Sequence, residues 1–313
     1  MSHTRKLCLF LLVTMLNPIS AYVPTTWMSG APNNLYAPIG LANNCIKKNK
    51  PRSLAVSAQT NFFALAQWSN FVYGQCQAAG VSVQGTLLMP HYLYSHIYAA
   101  GLVNHQKGFD YLHQHIHYNT SASLADTYLL LGWNALHQQT INFSIYTFGI
   151  IPAPKYTFGL DNHFAYGVGA DVSARLYKSH YQRLDWLTDT DITFLTHRKG
   201  LAWIKNNGIY EPCVVTICAH QLLRMRSALA YHYQHFITDI GLHCFYTTDA
   251  RYKTLVNVQT FEPSQCLIAF FCNAGARVKL GNNPSYFSLG AQITECHHHL
   301  DSGNVIFKCG IEF

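Results

Sequence analysis

VIFKCGIEF, residues 305–313, is the stretch of sequence that decides the fold. Its apolar side chains recur at every second position, whereas the charged residues Lys308 and Glu312 fall between them. An extended strand places alternate side chains on opposite faces, so the stretch predicts a strand with one apolar and one polar face. The apolar positions are Val305, Phe307, Cys309, Ile311 and Phe313.

The same alternation recurs upstream. It is clearest over residues 162 to 177, where seven apolar residues interleave with His, Gly, Asp, Ser and Arg. Ten such segments occur from residue 79 onward, and two weaker ones, 61 to 75 and 35 to 45, bring the predicted number of strands to twelve, with ten or fourteen as alternatives. The ten segments are 79–89, 123–134, 139–152, 162–177, 184–194, 215–231, 236–242, 268–278, 287–293 and 305–313.

Composition favours a membrane protein that crosses with strands. Charged residues are 11% of the 313-residue chain, against about 25% in typical soluble domains. Beyond the amino terminus, no run approaches the roughly 20 apolar residues that a membrane helix needs. A soluble β-sandwich with one solvent-exposed face would show similar alternation. However, most of these segments run to 10 residues or more, nearer the length of a tilted membrane strand than of a globular one.

A terminal Phe313 with apolar residues at every second position upstream resembles the closing strand that bacterial outer-membrane β-barrel proteins present to their assembly machinery. The resemblance implies an all-β fold, a transmembrane antiparallel up-and-down β-barrel of about 12 strands in the bacterial outer membrane. It also implies outer-membrane lipid and the barrel-assembly machinery as partners, and it leaves homo-oligomerisation open. Nucleic acid is not expected despite the net charge of +7, because the basic residues are scattered.

The lengths of the connections agree with a barrel. Short turns near residues 136–138, 178–182, 234 and 281–284 alternate with longer loops predicted at 91–122, 153–161, 198–212, 247–265 and 297–303. Short periplasmic turns and longer external loops are the usual arrangement, which would place the carboxy terminus in the periplasm.

The amino terminus predicts export. A basic region at Arg5 and Lys6 precedes an apolar segment from Leu7 to Leu16, so we expect a signal peptide over residues 1–21. A loop-rich segment, 22–60, and the barrel, 61–313, would follow. Nine cysteines remain after cleavage, an odd number that argues against a disulfide framework.

Charged residues on the polar parity of the strands are the candidate functional residues. They predict a lumen whose charges either pair as a polar filling or set ion selectivity. We therefore expect a porin-like channel for passive diffusion of small solutes; the alternative is a non-conducting structural or surface-interaction barrel. The predicted lumen-lining residues are Asp171, Arg175, Asp185, Asp189, Asp191, Arg224, Arg226, Asp239, Arg277 and Lys279.

Metal and catalytic sites are weak candidates. His113, His115 and His117 could bind a metal from one extended face, but a polar external loop in a histidine-rich chain is the favoured explanation. The same holds for His297 to His299 beside Cys296. Cys244, Cys266, Cys272 and Cys309 fall on the apolar parity, where cysteine behaves as a small hydrophobe. No catalytic motif is recognisable, so we expect neither an enzyme nor a cofactor.

Overall fold

A computed structural model shows that the alternating segments form strands throughout the described chain. The described residues are 55–69, 74–110, 115–124, 127–138, 140–151, 164–206, 209–248, 250–253, 258–262, 265–280, 283–296 and 299–312. Within these ranges, no helix is long and apolar enough to cross a membrane.

The strands follow one another along the chain, and the described residues also include one short 3-10 helical turn, Pro90–Tyr92. In chain order they are β1 (Ala55–Ser69), β2 (Gly74–Leu88), β3 (Leu93–Asp110), β4 (His115–Leu124), β5 (Thr127–His137), β6 (Ile141–Ile151), β7 (Ala165–Lys178), β8 (Gln182–Leu195), β9 (Arg198–Asn206), β10 (Ile209–Ile217), β11 (His220–Tyr233), β12 (Phe236–Thr247), β13 (Ala250–Lys253), β14 (Val258–Glu262), β15 (Gln265–Leu280), β16 (Asn283–Cys296) and β17 (His299–Glu312).

Twelve of these strands pair antiparallel on both edges, each with its neighbours in the order β1, β2, β3, β5, β6, β7, β8, β11, β12, β15, β16 and β17. The pairings return to their starting point because β17 pairs with β1, with Glu312 opposite Gln59. At the other junction β2 pairs with β3, with Leu88 opposite Tyr94. This up-and-down arrangement gives each of the twelve strands of the ring a hydrogen-bonded neighbour on both edges, which a hydrocarbon environment requires.

The two ends of the ring differ. At one end, here called the turn end, successive strands are joined by two to four residues: 89–92, 138–140, 179–181, 234–235 and 281–282. Gln234 adopts a left-handed φ of 52°, as tight two-residue hairpin turns require. At the opposite end, here called the hairpin end, β1–β2 and β16–β17 are also joined by short segments, but the β3–β4 hairpin and a second sheet of β9, β10, β13 and β14 extend the strands further.

The outward face of the ring is apolar and is bordered by aromatic residues near both ends. Tyr166 and Tyr246 are exposed near the hairpin end, and Tyr177 and Phe236 near the turn end. Eleven positions separate Tyr166 from Tyr177 on β7, and ten separate Phe236 from Tyr246 on β12. These spacings match the 9 to 11 residues of a tilted membrane strand, and two aromatic girdles flank the apolar band of such barrels.

Three polar side chains within the apolar band satisfy one another. The indole Nε1 of Trp186 donates a hydrogen bond to Oγ of Ser227 at 2.9 Å. The hydroxyl of Thr188 donates to the same Ser227 oxygen at 3.1 Å. Because partnered polar groups are less costly in hydrocarbon than orphaned ones, this cluster is compatible with an apolar surrounding.

The twelve-strand prediction is confirmed, but one strand was misassigned. The predicted loop 91–122 consists mostly of β3 and β4. β3 belongs to the ring and brings its number of strands to twelve. Alternation is weak there because the inward residues Tyr94, His96 and Tyr98 are aromatic, so both faces look partly apolar. The proposed strand at 35–45 lies outside the described residues.

Other boundaries also need correction. The segment 61–75 contains the end of β1 and the start of β2 rather than a single strand, because apolar residues continue through the connection. The predicted loop 297–303 is largely β17, which begins at His299 opposite Cys296. The predicted loops 198–212 and 247–265 contain the paired strands β9, β10, β13 and β14. The predicted loop 153–161 and the signal peptide lie outside the described residues.

Candidate functional site

The inward positions of β7, β8, β11, β12 and β15, here called the inner wall, carry most of the charged residues predicted for the lumen. Alternation places them on one parity of each strand, and the register of the strands decides which of them meet. Among the residues whose side chains are described, all are buried except Arg175, which is partly exposed. The buried residues of this set are Asp171, Asp185, Asp189, Asp191, Arg224, Arg226 and Asp239.

The ion pair between Arg224 and Asp191 has the best geometry on the inner wall. The residues lie directly opposite each other on β11 and β8. Nε of Arg224 donates to both carboxylate oxygens of Asp191, at 2.9 and 3.0 Å. The hydroxyl of Thr193 donates to Oδ1 of the same carboxylate at 3.1 Å. The guanidinium also lies 5.8 Å from the ring centroid of Phe148 on β6, so it reaches past two strands of the wall.

One level closer to the turn end, Arg226 faces Asp189. Nε of Arg226 lies 4.0 Å from Oδ2 of Asp189, a longer distance than that between Arg224 and Asp191. Asp171 is opposite Asp189 on β7, and His243 is opposite Arg226 on β12. Arg226 also stacks on Phe271 at 5.3 Å from the ring centroid. This level therefore combines two carboxylates, one guanidinium and one imidazole.

A third group surrounds Asp185. Its Oδ2 lies 2.6 Å from Nε of Arg183 and 3.4 Å from Nε2 of His232, and its Oδ1 lies 3.8 Å from Nε of Arg175. Arg183 also contacts the ring of His232 at 3.1 Å. A fourth group lies on β12 and β15, where Nδ2 of Asn273 donates to Oδ1 of Asp239 at 2.6 Å. Each carboxylate in these two groups therefore has a specific polar partner.

The charges of the inner wall nearly cancel. Among the residues whose side chains are described there are five aspartates, at 171, 185, 189, 191 and 239, and four arginines, at 175, 183, 224 and 226. Burying a charge is costly unless it is paired and hydrogen-bonded. The arrangement therefore resembles a compensated polar lining more than a ring of one charge sign.

Glycines on the inner face lie beneath aromatic rings of the adjacent strand. Tyr94 covers Gly132, Phe148 covers Gly167, and Tyr146 covers Gly169, each directly opposite its glycine in the register. A Cβ atom at any of these glycines would collide with the ring. The pattern recurs on β12 and β15, where a Cβ at Gly241 would lie 2.7 Å from Cζ of Phe271. Large rings therefore lie flat against the wall of the barrel and narrow its interior.

The strands β2 to β7 contribute uncharged polar pairs to the same interior. Oγ1 of Thr86 lies 2.8 Å from Nδ1 of His96. Asn142 donates to the hydroxyl of Ser173 at 3.3 Å, and the hydroxyl of Ser144 donates to Asn134 at 3.4 Å. Among the described side chains, charge is therefore concentrated on one side of the interior, opposite a side of hydroxyl, amide and aromatic groups.

The remaining predicted residues are placed as follows. Arg277 and Lys279 occupy inward register positions on β15, four and six residues after Asn273; their side chains are not described. His115 and His117 lie on β4, whereas His113 lies outside the described residues. No group of three or more potential metal-ligating residues occurs in the described ranges.

On β17, Val305 and Phe307 are exposed, Cys309 and Ile311 are half-buried, and Phe313 is not described. Cys266 and Cys272 are exposed, and Cys244 is half-buried.

Three inner-wall residues were missed in the sequence. Arg183, His232 and Asn273 contact aspartates that the sequence predicts to line the lumen. All three share the parity of the predicted lumen residues on their own strands. Extending the alternation to every polar residue of that parity would have found them.

No model of a protein family matches the sequence, and no curated protein matches it. Among solved structures, the chain is similar to an outer-membrane channel from Pseudomonas putida F1, with a TM-score of 0.50 and 7% identity over 85% of this chain and 97% of that chain. It is also similar to the transport unit of the autotransporter AIDA-I from Escherichia coli, with a TM-score of 0.47 and 10% identity over 87% of this chain and 95% of that chain. A TodX monoaromatic hydrocarbon channel mutant gives a TM-score of 0.47 and 8% identity over 95% of each chain. At these identities the likeness shows the fold alone, which is that of outer-membrane β-barrels.

Proposed function

We propose that the protein is a porin-like channel for passive diffusion of small solutes across a Gram-negative outer membrane. The observation that carries the proposal is the division between the two faces of the ring. Outward residues form an apolar band between two levels of aromatic rings, whereas inward residues include the carboxyl and guanidinium groups of the inner wall. A charge on the lipid face would cost about 2 to 4 kcal/mol at the midplane, so the outside suits lipid and the inside suits polar solutes.

The turn end would face the periplasm and the hairpin end the exterior, following the usual placement of short turns and long extensions. β17 ends at the turn end, where its carboxy-terminal residues would be available to the assembly machinery. Homo-oligomers of such a barrel remain compatible with this orientation.

The narrowest part of the pathway would lie near Arg224. Its guanidinium reaches from β11 to within 5.8 Å of the Phe148 ring on β6 and is held by Asp191. Flat-lying rings over Gly167 and Gly169 border the same level. Twelve strands lie between the eight that side chains just fill and the sixteen that leave an aqueous channel, so a narrow pathway for small solutes is expected.

Conductance of the purified full-length protein in a planar bilayer tests the proposal. The wild-type protein should give stepwise openings. Replacing both partners at the narrow part, Arg224→Ala with Asp191→Ala, should increase the unit conductance, because the double change removes the spanning side chain without leaving a buried charge. A matched double change on the outward face, Leu223→Ala with Ile192→Ala, should leave the conductance unchanged.

A second candidate is a non-conducting structural or surface-interaction barrel. Inward side chains such as Ala230, Ser144 and Thr193 are 0% exposed, which favours an interior filled by side chains. If correctly folded wild-type protein and the double variant at Arg224 and Asp191 both leave the bilayer closed, the channel proposal fails and this second function is supported.

A further inference from the structure

The second sheet at the hairpin end continues the wall of the ring without a change of register. Leu195 pairs with His220 in the ring, and three residues further along each strand Arg198 pairs with Ile217 in the second sheet. In the same way, Leu222 pairs with Thr247, and five residues further along Ile217 pairs with Tyr252. A backbone hydrogen bond from Cys218 to the carbonyl of Arg251, at 2.7 Å, bridges the gap between the two sheets.

An unbroken register preserves the two faces of the wall, because side chains alternate with a period of two. Positions 191, 193 and 195 on β8 are buried inward positions. Counting on by twos from Leu195 leads to Lys199 on β9, which pairs with Thr216, and Thr216 pairs with Lys253 on β13. These three residues therefore lie on the face that continues the inner face of the ring.

Charged residues are divided unequally between the two faces of this sheet. The face that continues the inner wall, here called the cationic face, carries Lys199, Lys205, Arg251 and Lys253. Among the described residues of these four strands, it carries no Asp or Glu. The opposite face carries one cation and two carboxylates, namely Arg198, Glu211 and Glu262.

The cationic face also contains aromatic residues: Trp203 and Tyr210 belong to it, with Tyr210 opposite Lys205. On the other described extension, the β3–β4 hairpin, Asp110 lies opposite His115 at the inner parity. The balance on the inner face of the two extensions is therefore four cationic residues against one carboxylate, with the histidines counted as neutral.

We propose that the cationic face is an external vestibule that attracts small anionic solutes to the mouth of the barrel. This inference rests on the proposed channel function and specifies its substrate class. Among the described side chains of the inner wall the charges nearly cancel, whereas the register places four cations and, among the described residues, no carboxylate on the cationic face. A cleft lined by one sign of charge raises the local concentration of oppositely charged solutes, and charged rings set the selectivity of pores.

Ion selectivity of the reconstituted protein under a salt gradient is the first test. Wild-type channels should pass chloride in preference to potassium, and Lys199→Glu with Lys253→Glu should lower the chloride-to-potassium permeability ratio by roughly threefold or more. Arg198→Glu is the matched control, because it reverses an adjacent charge on the opposite face of the same strand. An equal effect of Arg198→Glu, or cation selectivity in the wild-type protein, would overturn the proposal.

Equilibrium binding supplies a test that does not need conductance. Inositol hexakisphosphate, a compact polyanion, should bind the folded protein, and added salt should weaken this binding. Uncharged myo-inositol should not bind. The milder change Lys199→Gln with Lys253→Gln should weaken binding, and Arg198→Gln should not. Binding without conductance would reject the channel and keep the anion-binding vestibule. Absence of binding by a folded protein that does conduct would reject the vestibule alone.

Discussion

Nε of Arg224 donates to both carboxylate oxygens of Asp191, at 2.9 and 3.0 Å, and both side chains are buried on the inner wall. The two residues belong to strands joined in sequence only through the long excursion of β9 and β10, yet they lie directly opposite each other in the register. This pair therefore links the register of the sheet to the electrostatics of the interior.

Breaking this pair on one side should destabilise the barrel strongly. Arg224→Met leaves the Asp191 carboxylate buried without its guanidinium, so we expect a loss of about 3 to 5 kcal/mol in the free energy of unfolding. The double replacement Arg224→Met with Asp191→Leu should lose much less, because no charge remains uncompensated. Urea unfolding of protein folded into lipid vesicles measures both. Equal losses from the single and double variants would contradict the argument.

Glycine at position 167 should be needed for packing. Gly167→Ala places a methyl group against the Phe148 ring and the Ile192 carbonyl, so we expect a loss of about 1 to 3 kcal/mol from overpacking. Gly149→Ala is the matched control, because a Cβ there meets no atom within 4 Å. Thermal unfolding of the two variants should separate them, and similar midpoints would argue against the ring-over-glycine arrangement.

The outward band should not tolerate a charge near its centre. Ile240 on β12 is 64% exposed and lies between Phe236 and Tyr246, four residues from the first and six from the second. Ile240→Arg should therefore cost about 2 to 4 kcal/mol on folding into vesicles, whereas Tyr181→Arg at the turn end should cost about 0 to 1. A soluble sheet would give the opposite result, with Ile240→Arg tolerated in water and folding independent of lipid.

The carboxy-terminal aromatic residue should matter for assembly in cells. Deletion of Phe313 should lower the amount of folded protein in the outer membrane, because the alternating terminal strand resembles the signal read by the assembly machinery. Glu312→Gln, which changes the neighbouring residue on the other parity, should have little effect. Fractionation and heat-modifiable gel mobility report the amount of folded protein. Unchanged levels after the deletion would contradict recognition of Phe313 by the assembly machinery.

Sequence alternation was informative where the two faces contrast strongly. On β7, apolar residues interleave with Gly, Asp, Ser and Arg, and the strand appeared at nearly the predicted residues. On β3, Tyr94, His96 and Tyr98 fill the inner face, so the polarity contrast disappears and the sequence pattern predicts a loop instead of a strand. Alternation measures polarity, and an aromatic inner face hides it.

What the sequence determined by itself was the parity of each residue: Asp185, Asp189 and Asp191 share one face of β8 whatever that strand pairs with, because side chains alternate along any extended chain. Tertiary structure alone decided the partners. Sliding β11 by two residues against β8 would keep every face intact yet place Arg224 opposite Asp189 or Thr193 instead of Asp191. Parity is a property of one strand, whereas register depends on the packing, turns and hydrogen bonds of the strands around it.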